Sequence, residues 1–419
     1  MLVAENKDVQ TILGKNSAFD RLEHYSRPVG PVHEFGDLCQ TEATIQNIGW
    51  TLGNDCPYRC THCYSMNARE RGRNLSKPMV DRVVAQLSQV GVVTVNLGGN
   101  EPIFTNGIKL ENSLLHYIID ALHEAGITVG LTTSGISILK LHERHPASFR
   151  RLNDVDVSFD SPFEEEHDKN RGAKTFGLAI KALELCRVHG IPHSCIMAAM
   201  NWNFSSAHID ALYHLALQYG ANIRINPVKP VEPHHMAIAL PVDDYYAGFA
   251  KLFDCCDPID LGEPPIAAVT RYSKARRCPC GRTSFRIHSI TPKGEIFVSP
   301  CVYLHDYKAQ QNLLEHELKD IINSPQFRVF RQRNANPAKV AGCSECRFLE
   351  TCGGGCTARS YLYHSHLSGG EKTMLAKDPY CPRDLSIQHR YPIDPLVDDS
   401  ERLVHMDYLC TWIGRPRLP

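Results

Sequence analysis

The chain has 419 residues, of which 43% are hydrophobic and 22% are charged, so it is long enough for two or three domains with apolar cores. The formal net charge is -1, and the sequence has no long basic run. We therefore expect no polyanion-binding surface and no nucleic-acid partner. The first residues are charged where a signal peptide is apolar, and no run of about 18 apolar residues occurs. This predicts a cytoplasmic protein without membrane attachment.

One unit recurs from about Ile45 to Pro230: an amphipathic helix, a glycine that can end it, and a short apolar strand. The first such helix begins near Ser76, has Pro78 in its first turn and ends before Gly91 and the strand VVTVNL. Three further units end at Gly126 before ITVGLTT, Gly190 before HSCIMAA, and Gly220 before NIRINP.

Repeated strand-helix alternation predicts an α/β fold, with a parallel sheet and helices outside it, as an open sheet or a full or partial barrel. In such folds the chemistry lies at the carboxyl ends of the strands. The remaining sequence suggests the division 1–43 for an N-terminal extension, 44–230 for the alternating core, 231–277 for a bridging region, 278–385 for a cysteine-rich domain held by metal, and 386–419 for a polar tail without readable chemistry.

Seventeen cysteines are too many for an ordinary cytosolic enzyme, and a disulfide framework belongs to small secreted chains. Metal ligation is therefore the better interpretation for the three early and eight late cysteines that cluster in sequence. Six others show no ligand spacing, and we predict that they are small buried hydrophobic side chains: Cys39, Cys186, Cys195, Cys255, Cys256 and Cys410.

The early cysteines Cys56, Cys60 and Cys63 lie in NDCPYRCTHCYS, directly after the first predicted strand IQNIGWTLG. Three thiolates in one tight loop can hold three irons of a 4Fe-4S cluster and leave the fourth iron without a protein ligand. A zinc site is the alternative. The C-x3-C-x2-C spacing resembles the radical S-adenosylmethionine (SAM) superfamily, whose members bind SAM at the open iron and cleave it reductively to a 5'-deoxyadenosyl radical. This resemblance implies a partial (β/α)6 TIM-like barrel.

The second motif, NLGGNEP, closes the next strand with Gly98, Gly99, Asn100 and Glu101. Glycines let a backbone edge approach a ligand closely, and a carboxylate can accept from an ammonium group. The stretch resembles the GGEP loop that binds the SAM amino group in the same superfamily; an ordinary βα turn is the alternative. The resemblance also implies contacts to the SAM ribose and carboxylate, against plain capping or salt-bridge roles, for Ser134, Ser158, Asp160, Arg171 and Asn201.

The late cysteines follow the pattern C-x2-C-x5-C-x3-C, with one more cysteine further on, and resemble the SPASM domain, an extension of radical SAM enzymes that holds auxiliary clusters. Eight late cysteines equal two sets of four; a structural zinc site is the alternative. By resemblance, the outer cluster is held by Cys343, Cys346, Cys352 and Cys381. The inner cluster is held by Cys278, Cys280, Cys301 and Cys356; the alternative is that one member of the Cys278/Cys280 pair is idle and leaves one iron open for substrate.

The resemblance implies a reaction type, abstraction of a hydrogen atom from an unactivated C-H bond. We expect the substrate to be a ribosomally made precursor peptide that is crosslinked, epimerised or cleaved in its backbone, as in maturases that include the nif11-type group. A separate small protein is expected to present the leader peptide, because the stretch before Cys56 is short, and a flavodoxin or ferredoxin is expected as reductant. The alternatives are a small-molecule dehydrogenase, a sulfatase-type maturase, and a cluster-carrying protein without enzymatic activity.

Overall fold

The computed structural model describes residues 45–67, 69, 75–270, 277–384, 402–406 and 408–419. The predicted N-terminal extension 1–43, with Cys39, lies outside these residues. The architecture is an α/β fold around one sheet of ten strands, in the order β7-β10-β6-β5-β4-β3-β2-β1-β8-β9. Within it, six neighbouring strands run parallel from β1 to β6, and the sheet does not close. The predicted partial (β/α)6 barrel is confirmed.

The strands are short, as is usual when each is followed by a helix. Their bounds are β1 Asn47–Leu52, β2 Thr94–Gly99, β3 Thr128–Thr133, β4 Leu152–Ser158, β5 His193–Ala199, β6 Asn222–Pro227, β7 Cys256–Leu261, β8 Ser284–Ile287, β9 Val298–Ser299 and β10 Trp412–Pro416.

The helices of the barrel lie in the connections between these strands. They are α1 Lys77–Gln89, α2 Leu115–Glu124, α3 Ile136–Arg144, α4 Pro146–Phe149, α5 Glu164–Arg171, α6 Phe176–His189, α7 Ser206–Tyr219, α8 Val242–Cys255 and α9 Pro264–Val269. The cysteine-rich region has α10 Leu318–Ile321, α11 Pro325–Ala335, α12 Leu349–Cys352 and α13 Thr357–Leu367. Short 3-10 turns cover Leu110–Asn112, Pro233–Ala237, His305–Tyr307, Pro337–Lys339 and Pro382–Asp384.

The helix predictions are confirmed by the apolar faces that the helices bury. Helix α1 buries Val80, Val83, Val84 and Leu87, and it begins after Ser76, whose side chain makes no capping hydrogen bond. Helices α6 and α7 end at glycines in the left-handed conformation, Gly190 and Gly220, as a glycine after the last helical turn permits. Among the described residues, no helix is long and apolar enough to cross a bilayer.

The central strands are buried on both faces, but the two faces differ in chemistry. Val95, Leu97, Val129 and Leu131 belong to the apolar core together with the helices. The residues that alternate with them are polar or lack a side chain: Asn96, Gly130, Thr132, Asp154, Asp156 and Arg224. Because successive side chains of a strand point to opposite faces, the inner face of the barrel is polar, and this polarity positions the candidate site.

The sequence predicted residues 231–277 as a bridging region outside the strand-helix alternation. In the structure this stretch contains a further helix and strand. Helix α8 leads directly into strand β7, which joins the edge of the same sheet. Residues 271–276 lie outside the described residues. The cysteine-rich region is also continuous with the barrel, because β8 pairs in parallel with β1.

The C-terminal tail, in which the sequence shows no readable chemistry, contributes a strand to the sheet. Strand β10 inserts between β6 and β7, antiparallel to both. We call residues 402–406 and 408–416 the C-terminal strap. Its side chains Val404, His405, Tyr408, Cys410 and Trp412 are all buried, and an added Cβ on Gly130 of β3 would lie 2.9 Å from Val404. The strap therefore packs against the inner face of the barrel.

Candidate active site

The three early cysteines lie in the loop that follows β1. Cys56 and Cys60 are buried, and Cys63 is half-buried. The backbone N-H of Cys56 donates to the carbonyl of Gly53 at 2.9 Å, and that of Cys63 donates to the carbonyl of Cys60 at 3.1 Å. These turns bring the three thiols to the wall of one cavity, the arrangement that the sequence predicts.

Burial raises the pKa of the Cys56 thiol, and it raises the pKa of Cys60 to about 12 against the lowering effect of Arg171. Buried thiolates therefore require a cationic partner, which iron supplies. Among the described residues, no group of three or more His, Cys, Asp or Glu side chains forms a metal-ion site. Three thiols spread around a cavity wall suit a cluster of several irons better than one tetrahedral zinc.

The glycine motif after β2 lies directly against the cysteine loop. Gly53 has φ +75°, and a Cβ there would lie 2.0 Å from the carbonyl oxygen of Glu101, so only glycine permits this approach. Ser65 donates to the side-chain oxygen of Asn100 at 2.6 Å and to the carbonyl of Gly99 at 3.2 Å. The side-chain nitrogen of Asn100 is buried without a hydrogen-bond partner in the described residues, so this wall offers a donor to a bound ligand.

Glu101 is buried, and its carboxylate is already engaged. It accepts hydrogen bonds from the N-H groups of Ser134 at 2.9 Å and Ser137 at 3.2 Å, and from the hydroxyls of Thr133 and Ser137. These donors belong to the turn between β3 and α3, so the carboxylate fixes that turn. The role in binding the SAM amino group expected for Glu101 thus competes with four intramolecular donors.

Asp160 and Arg171 form a buried ion pair, with Arg171 Nε and Asp160 Oδ2 2.6 Å apart. Asp160 also accepts from Asn170 at 2.8 Å and lies 3.7 Å from the imidazole of His62. Burial favours the neutral acid, but the charges of Arg171, His62 and His167 hold the pKa of Asp160 at about 2. Both members of the pair line the cavity, and their mutual contact joins β4 to the end of α5.

The other predicted SAM contacts are not all at the cavity. Ser134 and Ser158 line it. Asn201 does not: it is exposed, and its side chain donates to the carbonyl of Ala237 at 2.9 Å. Asn226, the polar residue near the end of β6, lies at the cavity instead, and its side-chain oxygen is buried without a hydrogen-bond partner in the described residues.

The cavity encloses about 1150 Å³, including its open mouth, and extends from the cysteine loop to the C-terminal strap. Another part of its wall is aromatic and cationic, with Tyr64, Lys229, Arg286, Tyr303 and Tyr408. The ammonium of Lys229 lies 4.9 Å from the centre of the Tyr303 ring, a cation-π distance. A polar ligand near the cysteines and a second molecule against this wall would occupy one continuous space.

Arg286 is buried on strand β8. Its Nε donates to the Thr51 hydroxyl and its Nη1 to the Tyr408 hydroxyl, both at 2.6 Å, while Nη2 has no hydrogen-bond partner in the described residues. A Cβ on Gly99 would lie 2.3 Å from this Nη2. Burying a guanidinium N-H group without an acceptor costs free energy. The Nη2 group can therefore donate to an anionic or carbonyl oxygen of a molecule bound in the cavity.

The outer set of late cysteines is brought together as predicted. A small pocket in the cysteine-rich region is lined by Cys343, Cys346, Cys352 and Cys381, and burial raises the pKa of Cys343, Cys352 and Cys381. These four thiols come from three chain segments around one space, the arrangement that a four-cysteine cluster requires.

A buried ionic network joins the outer set to the inner one. Arg359 contacts Asp378 at 2.7 Å and Glu263 at 2.5 Å, and Asp378 also accepts from the backbone N-H of Cys356 at 2.7 Å. Gly355 has φ +81°, and a Cβ there would lie 2.4 Å from the Asp378 carboxylate. Gly355, in the glycine run between Cys352 and Cys356, thus leaves room for the Asp378 carboxylate.

The inner set contains five thiols instead of four. Cys410 of the C-terminal strap lies in the same cluster as Cys278, Cys280, Cys301 and Cys356. All five are buried. Cys410 is buried, as predicted, but the strap places it beside the inner set, which the sequence did not indicate. Of the other cysteines without ligand spacing, Cys186, Cys195 and Cys256 are buried and Cys255 is half-buried.

The sequence reasoning missed six residues of these sites: Asn226, Lys229, Arg286, Tyr303, Tyr408 and Cys410. The polar-apolar alternation of NIRINP and SFRI could have identified Asn226 and Arg286 as inward-facing. No sequence signal identifies Tyr408 or Cys410, because their place depends on where the strap folds back.

Comparison with known proteins agrees with this geometry. The sequence profile of the radical SAM superfamily matches residues 50–215, and that of SPASM, an iron-sulfur cluster-binding domain, matches residues 278–347. The mycofactocin maturase MftC of Mycobacterium ulcerans is 26% identical over 376 residues, which cover 84% of this chain and 93% of that protein. The PqqA peptide cyclase of Methylobacterium nodulans is 24% identical over 397 residues, covering 88% and 94%.

Among solved structures, Streptococcus suis SuiB bound to S-adenosylmethionine has a TM-score of 0.58 at 15% identity and covers 91% of this chain and 84% of that one. SuiB bound to its precursor peptide SuiA has a TM-score of 0.55 at 16% identity. At these identities the likeness shows a shared fold.

Proposed function

Because this chain is a radical SAM enzyme with a SPASM iron-sulfur domain, we propose that it removes a hydrogen atom from a ribosomally made precursor peptide. One observation carries this proposal: a single cavity joins the three-cysteine loop to a deep aromatic and cationic wall. The geometry lets a cofactor at the loop and a peptide side chain or terminus at the wall come into contact. Three similar proteins support a peptide as the substrate: MftC is a maturase, the PqqA cyclase is a peptide cyclase, and SuiB was solved bound to a precursor peptide.

The cluster and SAM, when bound, supply the one-electron chemistry that removes hydrogen from an unactivated C-H bond. In the proposal, Cys56, Cys60 and Cys63 would hold three irons, and Gly99, Asn100, Ser134 and Ser158, which line the same cavity, would hold SAM. The unpartnered amide nitrogen of Asn100 supports this assignment.

Asp160, Arg171 and Glu101 serve mainly to shape the SAM wall in this proposal, because each is engaged in contacts within the protein. The Arg171 guanidinium lies against Asp160, and the Glu101 carboxylate holds the turn after β3. Asn226 takes the ligand-facing role that the sequence suggested for Asn201, since its unpartnered oxygen is at the cavity.

The peptide lies against the wall formed by Tyr64, Lys229, Arg286, Tyr303 and Tyr408. This wall excludes water from the reacting group and offers donors, including the unpartnered Arg286 Nη2, to a carboxylate or carbonyl oxygen of the peptide. Tyrosine rings supply apolar area at the same place. The substrate group is therefore a peptide terminus or side chain that combines an apolar body with an acceptor oxygen.

In this proposal the inner set of late cysteines would hold an auxiliary cluster, which would supply an acceptor for the electron that the substrate loses after hydrogen removal. The inner set of cysteines supports that role, since it lies behind the same wall: the carbonyl of Cys410 accepts from Lys229 Nζ at 3.4 Å. We further propose that a separate small protein presents the leader peptide, that a flavodoxin or ferredoxin supplies the first electron, and that the enzyme is cytoplasmic. The sixteen free thiols of the described residues support a reducing compartment.

The test is anaerobic turnover of the reconstituted enzyme with dithionite, SAM and precursor peptides encoded beside its gene. We expect 5'-deoxyadenosine to form faster with the substrate peptide than without it, and the peptide mass to change. With a peptide deuterated at its reacting residue, deuterium should appear in 5'-deoxyadenosine. Peptide-independent 5'-deoxyadenosine formation, with no deuterium transfer, would contradict a peptide substrate. Full-rate processing by the purified enzyme alone would contradict the separate leader-binding protein.

A further inference from the structure

We propose that Cys410 of the C-terminal strap ligates an iron of the inner auxiliary cluster, in place of one member of the Cys278/Cys280 pair. The cluster is thus closed by a segment more than a hundred residues beyond its first ligand in the chain. The inference concerns cluster ligation alone and does not depend on which substrate the enzyme modifies.

The position of Cys410 in the sulfur cluster is the first argument. Cys410 is 2% exposed, and its side chain belongs to the same buried cluster as Cys278, Cys280, Cys301 and Cys356. Cys195 of β5 is also buried, but it packs in the main apolar core, away from these cysteines.

The count of ligands is the second argument. A cubane offers four irons to protein sulfurs, and five thiols surround this site. Cys278 and Cys280 are separated only by Pro279, whose ring fixes one backbone torsion, so the two thiols remain close to each other and compete for the same corner of a cluster. Cys301, Cys356 and Cys410 come from three separate segments and approach from different directions. These three with one member of the pair make a complete set, and each binds as a thiolate after losing its proton.

The way the strap is held is the third argument. Strand β10 begins two residues after Cys410 and is paired on both edges, with β6 and β7. The Thr411 hydroxyl, next in the chain, donates to the Ile225 carbonyl at 3.0 Å, and the Cys410 carbonyl accepts from Lys229. The backbone on both sides of the thiol is therefore fixed. Such preorganisation is what a cluster ligand requires, and a mobile tail would not supply it.

The test is spectroscopy of the full-length, anaerobically reconstituted protein, with Cys410→Ala and Cys410→Ser compared with the matched control Cys195→Ala. Cys195 is equally buried but lies in the apolar core, away from the cysteine sets. We expect both Cys410 variants to change the electron paramagnetic resonance (EPR) g values of one reduced cluster or to lose about four irons, with the other two clusters intact. The control should keep the iron content and spectrum of the parent.

Parent-like iron content and EPR spectra in both Cys410 variants would overturn the proposal. If the variants lose all clusters, an anaerobic crystal structure of the parent protein is the test instead. It must show the Cys410 sulfur at bonding distance from an iron. Four irons bound by Cys278, Cys280, Cys301 and Cys356, with Cys410 unbound, would refute it.

Discussion

His405 and Asp154 form a buried pair that joins the C-terminal strap to strand β4 across 251 residues of chain. The His405 Nδ1 donates to one carboxylate oxygen of Asp154, and the backbone N-H of Val404 donates to the other at 2.8 Å. Burial alone would raise the pKa of Asp154, but the charge and hydrogen bond of His405 hold it below its ordinary value. The opposite ring nitrogen, Nε2, lies 3.0 Å from the side-chain oxygen of Asn96, so one imidazole ties the strap to β4 and β2, the two strands that flank β3.

Replacing His405 with phenylalanine should destabilise the protein by about 3 kcal/mol, because it leaves the Asp154 carboxylate buried without its cationic partner. Thermal unfolding of the reconstituted enzyme measures the change. Glu143→Gln is the control, since the Lys140–Glu143 pair is exposed and its loss should hardly alter the melting temperature. Equal melting temperatures for His405→Phe and the control would contradict a stabilising role for the pair.

Gly53→Ala should abolish SAM binding, whereas Gly91→Ala should leave it nearly unchanged. Both glycines have almost the same positive φ, +75° and +73°, so alanine strains the two backbones equally. Only at Gly53 would the new Cβ collide with another part of the chain, the Glu101 carbonyl. Equilibrium binding of SAM to both variants, checked for equal folded content by circular dichroism, separates the effects. Equal losses in the two variants would show that strain alone matters.

Cys56, Cys60 and Cys63 should hold one of three clusters. Changing all three to alanine should lower the iron content from about 12 to about 8 per chain and abolish 5'-deoxyadenosine formation. Iron and acid-labile sulfide assays on anaerobically reconstituted protein measure this. A parent content of about four irons that falls to none would mean that the late cysteines hold no iron clusters.

Lys229→Met should weaken peptide binding by about tenfold, which corresponds to about 1.4 kcal/mol, because the buried ammonium at the deep wall is removed. SAM binding should stay as in the parent, since Lys229 contacts Pro227, Tyr303 and Cys410, which are not among the residues proposed to bind SAM. Lys251→Met is the matched control, because its partner is the half-exposed Asp210 on the outer surface. KM for the peptide and the dissociation constant for SAM are the two readouts; a change in SAM affinity alone would refute the substrate role.

The sequence predicted those structural features that depend on residues close together in the chain. The periodic apolar faces of α1 and α2 and the turn glycines after α6 and α7 lie where expected, because each depends on residues within a few turns. The outer cysteines were found for the same reason, since close spacing keeps ligands close in space. Asn201 shows the limit of this reasoning: the position after a strand was correct, but the direction of its side chain depends on packing against the segment around Ala237.

The strap could not be predicted, because its role depends on pairings between residues far apart in sequence. Tyr408 reaches Arg286 across 122 residues, and it fits only because Gly49 has no side chain in its way. Neither residue carries a motif. The apolar run around Trp412 suggests a strand, but nothing local indicates that it inserts between β6 and β7.

The strap also sets an order of assembly. Residues 402–416 are synthesised after every strand that they contact, so the inner face of the barrel and the space around Cys278 and Cys356 stay accessible while the rest of the chain is being made. Iron and sulfide can be delivered to the inner cysteines during that interval, before the strap docks. Docking of the strap is therefore the last step in completing the inner site.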